Sequence, residues 1–193
     1  SSGMMLQGGI RFNYNGLNHE FLISPRAQIS WMPDNDKDWV FRLSAGAYHQ
    51  PPFYRELRRL DGTVNPSVKA QRSWQTVIGA DHNFSLFNRP SRMTVEAYYK
   101  HLTHVDPYDL DNVRIRYFGN NDAKAYATGI ELRLFSELVK DAESWVSIGL
   151  VRTKEKIDNF SYFRYKNASG EWINAQTEDK AVADSVRFDK GWM

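Results

Sequence analysis

The chain has 193 residues, enough for one sizeable domain or a modest part of a larger one. It has no cysteine, which excludes disulfides, thiolate metal sites and cysteine nucleophiles, and its 25 Lys and Arg against 23 Asp and Glu leave no one-sided basic footprint for nucleic acid. Aromatics make up 14% at a mean hydropathy of -0.60, yet no run of about 20 apolar residues exists, which excludes a membrane-spanning helix.

In chain order, Ser1, Ser2 and Gly3 open the sequence without a basic and then apolar leader, so a mature or truncated chain is expected. A weak strand follows near 8–14. Strict two-residue alternation then sets in, which puts alternate side chains on opposite faces of a strand. Ile23, Ala27, Ile29 and Trp31 oppose Ser24, Arg26, Gln28 and Ser30. Next, Trp39, Phe41, Leu43, Ala45 and Ala47 oppose Val40, Arg42, Ser44, Gly46 and Tyr48. Between 74 and 86, Trp74, Ile78, Ala80, Phe84 and Leu86 oppose Gln75, Gly79, Asp81, Asn83 and Ser85, with Val77 and His82 against the pattern. Met93, Val95, Ala97 and Tyr99 oppose Thr94, Glu96, Tyr98 and Lys100; further on, Ile130, Leu132 and Leu134 oppose Glu131 and Arg133, and Val146, Ile148 and Leu150 oppose Ser147 and Gly149. These make about seven strands suited to antiparallel pairing.

The connections alternate in length. Short polar turns are expected at Pro33–Lys37, Asn88–Arg92 and near Lys140–Glu143, and long segments at roughly 50–70, 103–124 and 153–185, beyond the usual loop range. Short turns on one rim and long loops on the other is the layout of outer-membrane barrels. Alternation by itself fits two solutions: in a soluble sandwich the apolar face is the core, whereas in a membrane barrel it meets lipid and the polar face lines the lumen. Charges placed mid-strand among Gly and Ser, and Trp31, Trp39 and Trp74 near strand ends as in an interfacial girdle, favour the barrel.

Four ordered blocks add a resemblance. Ser24, Pro25 and Arg26 lead an alternating strand into a short turn; Gln50, Pro51, Pro52, Phe53, Tyr54, Arg55, Glu56 and Leu57 form an aromatic, Pro-containing stretch ending in Glu-Leu; Asn65, Pro66, Ser67, Val68 and Lys69 open the next strand; and Tyr117 to Asn121 with Ala127 to Glu131 make a Gly-Asn segment and a Gly-Ile-Glu strand. In this order, from about residue 20 to about residue 155, the chain resembles the TonB-dependent receptors. The resemblance implies an outer-membrane barrel of about 22 strands around a plug, of which residues 1–193 supply about seven or eight strands toward the C-terminal end. It also implies import of a scarce nutrient, such as a ferric chelate, a cobalamin or a glycan, on energy delivered by TonB. Neither a plug nor a closing strand is expected within this chain, which ends on Lys190, Gly191, Trp192 and Met193. Its partners would be outer-membrane lipid, the receptor's own plug, TonB and the cargo.

On this reading Arg26, Arg42, Glu96, Lys100, Glu131 and Arg133 face the lumen and pair with the plug, unless they only form a hydrated wall. Gln50, Tyr54, Arg55, Arg114 and Tyr117 on the long-loop rim combine rings with hydrogen-bonding groups and are the candidates for cargo contact, although for each residue singly a rigid loop support around Pro51–Pro52 is the favoured reading. His101 and His104, three apart, fall on opposite faces of a strand and are read as structural. Asp106, Asp109, Asp111 and Asn112 lack the Gly and distal Glu of a calcium loop and are read as a solvated loop; Asn167, Ala168 and Ser169 form a sequon without a eukaryotic context. No phosphate loop, serine elbow or metalloprotease helix motif occurs, so no enzyme, cofactor or metal site is assigned.

Two other readings stay open. One is a complete eight-stranded membrane barrel, which needs a closing strand around Val182, Val186 and Phe188. The other is a secreted β-sandwich that binds glycan through exposed rings and remains soluble without detergent.

Overall fold

The computed structural model describes residues 3–59, 61–111, 113–139, 142–158, 161–166, 172–174 and 186–189. Seven long strands pair antiparallel in one open sheet, in the order β1 (Gly3–Asn15), β2 (Glu20–Met32), β3 (Trp39–Gln50), β4 (Gln71–Leu86), β5 (Arg89–Val105), β8 (Ala123–Val139) and β9 (Ala142–Ile157). A hairpin of β6 (Tyr108–Asp111) and β7 (Arg114–Tyr117) stands between β5 and β8, and β10 (Ser161–Lys166), β11 (Trp172–Asn174) and β12 (Val186–Asp189) form a separate small sheet. The shortest of the seven has 12 residues and the longest 17, each more than the roughly 9–11 that a tilted strand needs to cross a bilayer.

The register aligns the alternation of all seven strands. One row reads Leu6, Ile29, Leu43, Ile78, Ala97, Ile130 and Leu150 from edge to edge. Among the described residues nothing covers it: Leu6, Ile78 and Leu150 are 69%, 60% and 74% exposed. A sandwich would bury this face beneath a second sheet, so the sandwich reading fails on the exposure of this row. The eight-stranded reading fails on topology, because Val186 lies in the separate small sheet and not beside β1 or β9.

Rings band the apolar face near both ends. At the short-turn end Trp31 stacks on Phe41 at 5.5 Å, Trp39 on Phe41 at 5.7 Å and on His82 at 4.2 Å, and His82 on Phe84 at 5.6 Å. His82, which departs from apolar alternation in the sequence, thus joins the girdle. At the long-loop end Phe12 stacks on Phe21 and Tyr99 on Tyr126.

The connections differ from expectation in three places. The β4–β5 turn is Phe87–Asn88 alone, both with positive φ (52° and 62°), the signature of a two-residue type I′ hairpin, so the expected turn at Asn88–Arg92 is mostly strand. Pro90 fits within β5 because it lies opposite Ser85, where its missing N–H would point away from β4, ahead of the β5–β8 ladder that begins at Ser91. The 103–124 segment is not a plain loop, since β5 runs to Val105 and the β6–β7 hairpin fills the middle. The segment from 153 likewise opens with the end of β9 and carries three short strands; the Asn167 sequon lies outside the described residues. β8 and β9 pair up to Val139 and Ala142, as the expected turn near Lys140 requires.

Candidate functional site: the long-loop rim and the polar wall

The rim is built from the loop after β3, the loop before β8 and the short β1–β2 turn. Glu56 and Leu57 are buried where the first loop folds back. Glu56 accepts from the Phe53 N–H at 2.8 Å and from Gln71 Nε2 at 3.1 Å, which fixes the Pro-containing stretch to the start of β4. Asn65 Nδ2 donates to the Gly119 carbonyl at 2.8 Å. Asn121 accepts from the Lys69 N–H at 2.6 Å and donates to the carbonyls of Lys69 and His104 at 3.1 and 2.9 Å. From the other side, Glu20 accepts the Ala70 N–H at 2.9 Å and Asn18 donates to the Val68 carbonyl at 3.0 Å. Val68, Ala70 and Ala123 are thereby sealed into a small core above the sheet. Gly119 adopts φ +69°, which L side chains rarely hold.

Asp106 belongs to this bracing and not to a solvated loop. It is buried, and its Oδ1 accepts the Asn120 N–H at 3.0 Å, so it closes the Gly119–Asn121 turn. Burial pushes its carboxyl above the usual range against the opposing pull of the Asn120, Gly119 and Asn121 N–H groups.

The five rim candidates are placed unevenly. Gln50 ends β3 in an exposed position opposite Gln71. Tyr54 is exposed, its hydroxyl accepts from Arg58, and the same guanidinium lies 5.0 Å over its ring. Arg55 is exposed and acts electrostatically on Tyr117, which is partly buried against the edge of Tyr108. Burial raises the Tyr117 pKa, Glu56 and Asp106 push the same way, and Arg55 opposes them. The phenol is therefore a proton donor at neutral pH. Arg114 sits opposite Asp111 in the β6–β7 hairpin, and its side chain lies outside the described residues.

On the polar wall one row reads Ser30, Arg42, Gly79, Glu96, Glu131 and Gly149. Gly79 leaves the gap through which Arg42 reaches Glu96 at 3.1 Å, and a Cβ there would stand 3.2 Å from the Glu96 side chain. Arg42 also pairs with Asp81 at 2.8 Å. Asp81 in turn holds Arg92 at 3.1 Å and accepts from Thr94 Oγ1 at 2.6 Å. Glu131 pairs with Arg133 at 2.7 Å. Four of the six wall candidates are thus neutralised within the wall. Arg26 and Lys100 make no ion pair among the described residues; Lys100 lies 5.2 Å from the Tyr98 ring centroid. Sequence reasoning passed over Asp81 and Arg92. The available signal was that Asp81 lies on the same face as Gly79, two residues along.

These observations describe an exposed apolar band, a charged wall and a braced rim. Residues 3–193 match the family described as TonB dependent receptor-like, beta-barrel. The chain belongs to this family. No curated protein and no solved structure matches it significantly. As a family of outer-membrane receptors and transporters, not of enzymes, TonB-dependent receptors require an apolar outer face, and the open sheet is a partial barrel wall of that kind. Three of the four receptor-like blocks supply rim braces: Glu56 and Leu57 close one loop, and Asn65 and Asn121 tie two loops together; within β8, Gly129 makes room for Tyr98, whose hydroxyl would lie 2.6 Å from an added Cβ.

Proposed function

We propose that the chain forms part of the wall and extracellular rim of a receptor that binds a scarce nutrient and imports it with energy delivered by TonB through a plug. The observation that carries this reading is the division of one sheet into an uncovered apolar face and a charged face, in a chain of the receptor family. The rim braces support a rigid platform, on which Gln50, Tyr54, Arg55, Arg114 and Tyr117 would meet cargo. On the wall, Arg26 and Lys100 are the foremost candidates for plug contact, because Arg42, Glu96, Glu131 and Arg133 already have partners. The cargo class, whether ferric chelate, cobalamin or glycan, is to be read from transport.

The test is uptake by the full-length receptor of labelled ferric chelate, cobalamin and oligosaccharide, in cells with and without TonB. One class is expected to enter only when TonB is present. Paired Tyr54→Ala and Tyr117→Ala changes should weaken its binding by about tenfold or more, the scale of losing an aromatic anchor. Uptake of none of the three classes, or uptake indifferent to TonB, would defeat the reading.

A further inference from the structure

Arg42 and Arg26 occupy similar settings with different outcomes. Each stands beside glycine on the polar face. Arg42 crosses Gly79 to reach a carboxylate, whereas Arg26 is flanked on both sides, in the row Gly9, Arg26 and Gly46, and meets none among the described residues. The glycines keep this slot open: a Cβ at position 9 would lie 3.7 Å from Arg26 Nε, and one at position 46 would stand 3.0 Å from Arg26 Cβ and 3.1 Å from the Tyr48 ring. Pro25 supplies no N–H, and the β2–β3 ladder stops at Arg26 and Gly46, so the two strands part where the slot begins.

A recess of about 50 Å³ opens here, walled by Arg11, Asn13, Ser24, Arg26, Tyr48 and His49. Arg11 is opposite Ser24 and so a diagonal neighbour of Arg26 on the same face. Its Nε is held by Asn13 Oδ1 at 3.2 Å, which steadies the guanidinium, and Ser24 Oγ and His49 Nδ1 hydrogen-bond at 3.0 Å, which steadies the opposite wall. The lining thus holds two guanidinium groups and no carboxylate. Guanidinium forks match a carboxylate in plane and spacing. The volume suits so small a group, since one water needs roughly 10–15 Å³ of such space.

We propose that this recess binds a carboxylate, supplied either by an anionic cargo or by an acidic side chain of the plug. The inference rests on the polar face being the lumen of a nutrient receptor. It is tested on the full-length receptor in detergent by titration with carbon-13-labelled acetate, with acetamide as the neutral control, followed by NMR line broadening. Cargo as the source predicts saturable acetate binding, weakened about tenfold or more by Arg26→Gln or Arg11→Gln, as for loss of one charged hydrogen bond, and weakened less by Arg26→Lys, which keeps the charge without the fork. Plug as the source predicts no acetate site in the parent receptor, but faster proteolysis of the plug in Arg26→Gln and protection between parent and Arg26→Gln in Arg26→Lys. Heat-dependent gel mobility verifies that each variant is folded. Acetate binding that ignores both substitutions, or no binding together with unchanged plug protection, overturns the proposal. TonB-dependent uptake measured on the parent receptor separates that outcome from failure of the receptor reading itself.

Discussion

Asp81 shows how a single carboxylate organises the wall. It is almost fully buried and satisfies Arg42, Arg92 and Thr94 together, so its removal leaves the half-buried Arg42 with Glu96 alone and takes the partner from Arg92 and from the Thr94 hydroxyl. Asp81→Ala is expected to destabilise the folded receptor by roughly 2–4 kcal/mol. Arg92→Ala should cost under about 1 kcal/mol, because that side chain is half exposed and water can replace the pair. Denaturant titration of the full-length receptor in detergent, followed by gel mobility, measures both. Equal losses would show that Asp81 is not the centre of the network. The geometry also explains why glycine stands at positions 79 and 129 of the polar face: each gives its space to a side chain from a neighbouring strand, Arg42 at one and Tyr98 at the other.

At the scale of elements, the two long loops are joined through the Asn65 and Asn121 side-chain amides bonded to backbone, and the Asp106 carboxylate closes a turn within the second, which is why they hold a defined shape despite their length. Asp106 makes this bracing pH-dependent. Its folded pKa lies above the ordinary 3.8, so the folded rim binds the proton more tightly than the unfolded chain does. The stability it contributes is greatest below the ordinary value, falls as pH rises from there through the raised folded value, and is level above that. Protection of the Asn120 amide against hydrogen exchange, corrected for the intrinsic rate, should decline across that window in the parent receptor. Asp106→Asn should remove the decline, and a decline of equal size in that variant would assign the effect to another group.

For the whole molecule, the seven-residue apolar row has no cover among the described residues, as the lipid-facing side of a receptor-family barrel requires. Ile78 lies at its centre. Ile78→Arg is expected to cost roughly 2–4 kcal/mol in the full-length receptor in bilayers, as for a cation at mid-depth on the lipid face. Gln75→Arg on the polar face should cost under about 1 kcal/mol, since that face already carries charged side chains such as Arg42 and Glu96. Matching losses, measured by urea unfolding from vesicles, would reverse or erase the assignment of faces.

The sequence by itself determined the strands, their two faces and the rim on which the long connections lie, because a period of two is a local property that any strand must express. Its four blocks also pointed to the receptor family through residues such as Glu56, Asn65 and Asn121, although their work as braces was hidden, since their partners lie 15 to 54 residues away. Turn chemistry was misread at Pro90, where a missing N–H is harmless because no neighbouring strand requires it. Only the tertiary structure decided which charges are paired. Arg42 and Arg26 look alike in the sequence, each on a polar strand face near glycine. Register alone brings Glu96 and Asp81 to the first and leaves the second facing an open recess.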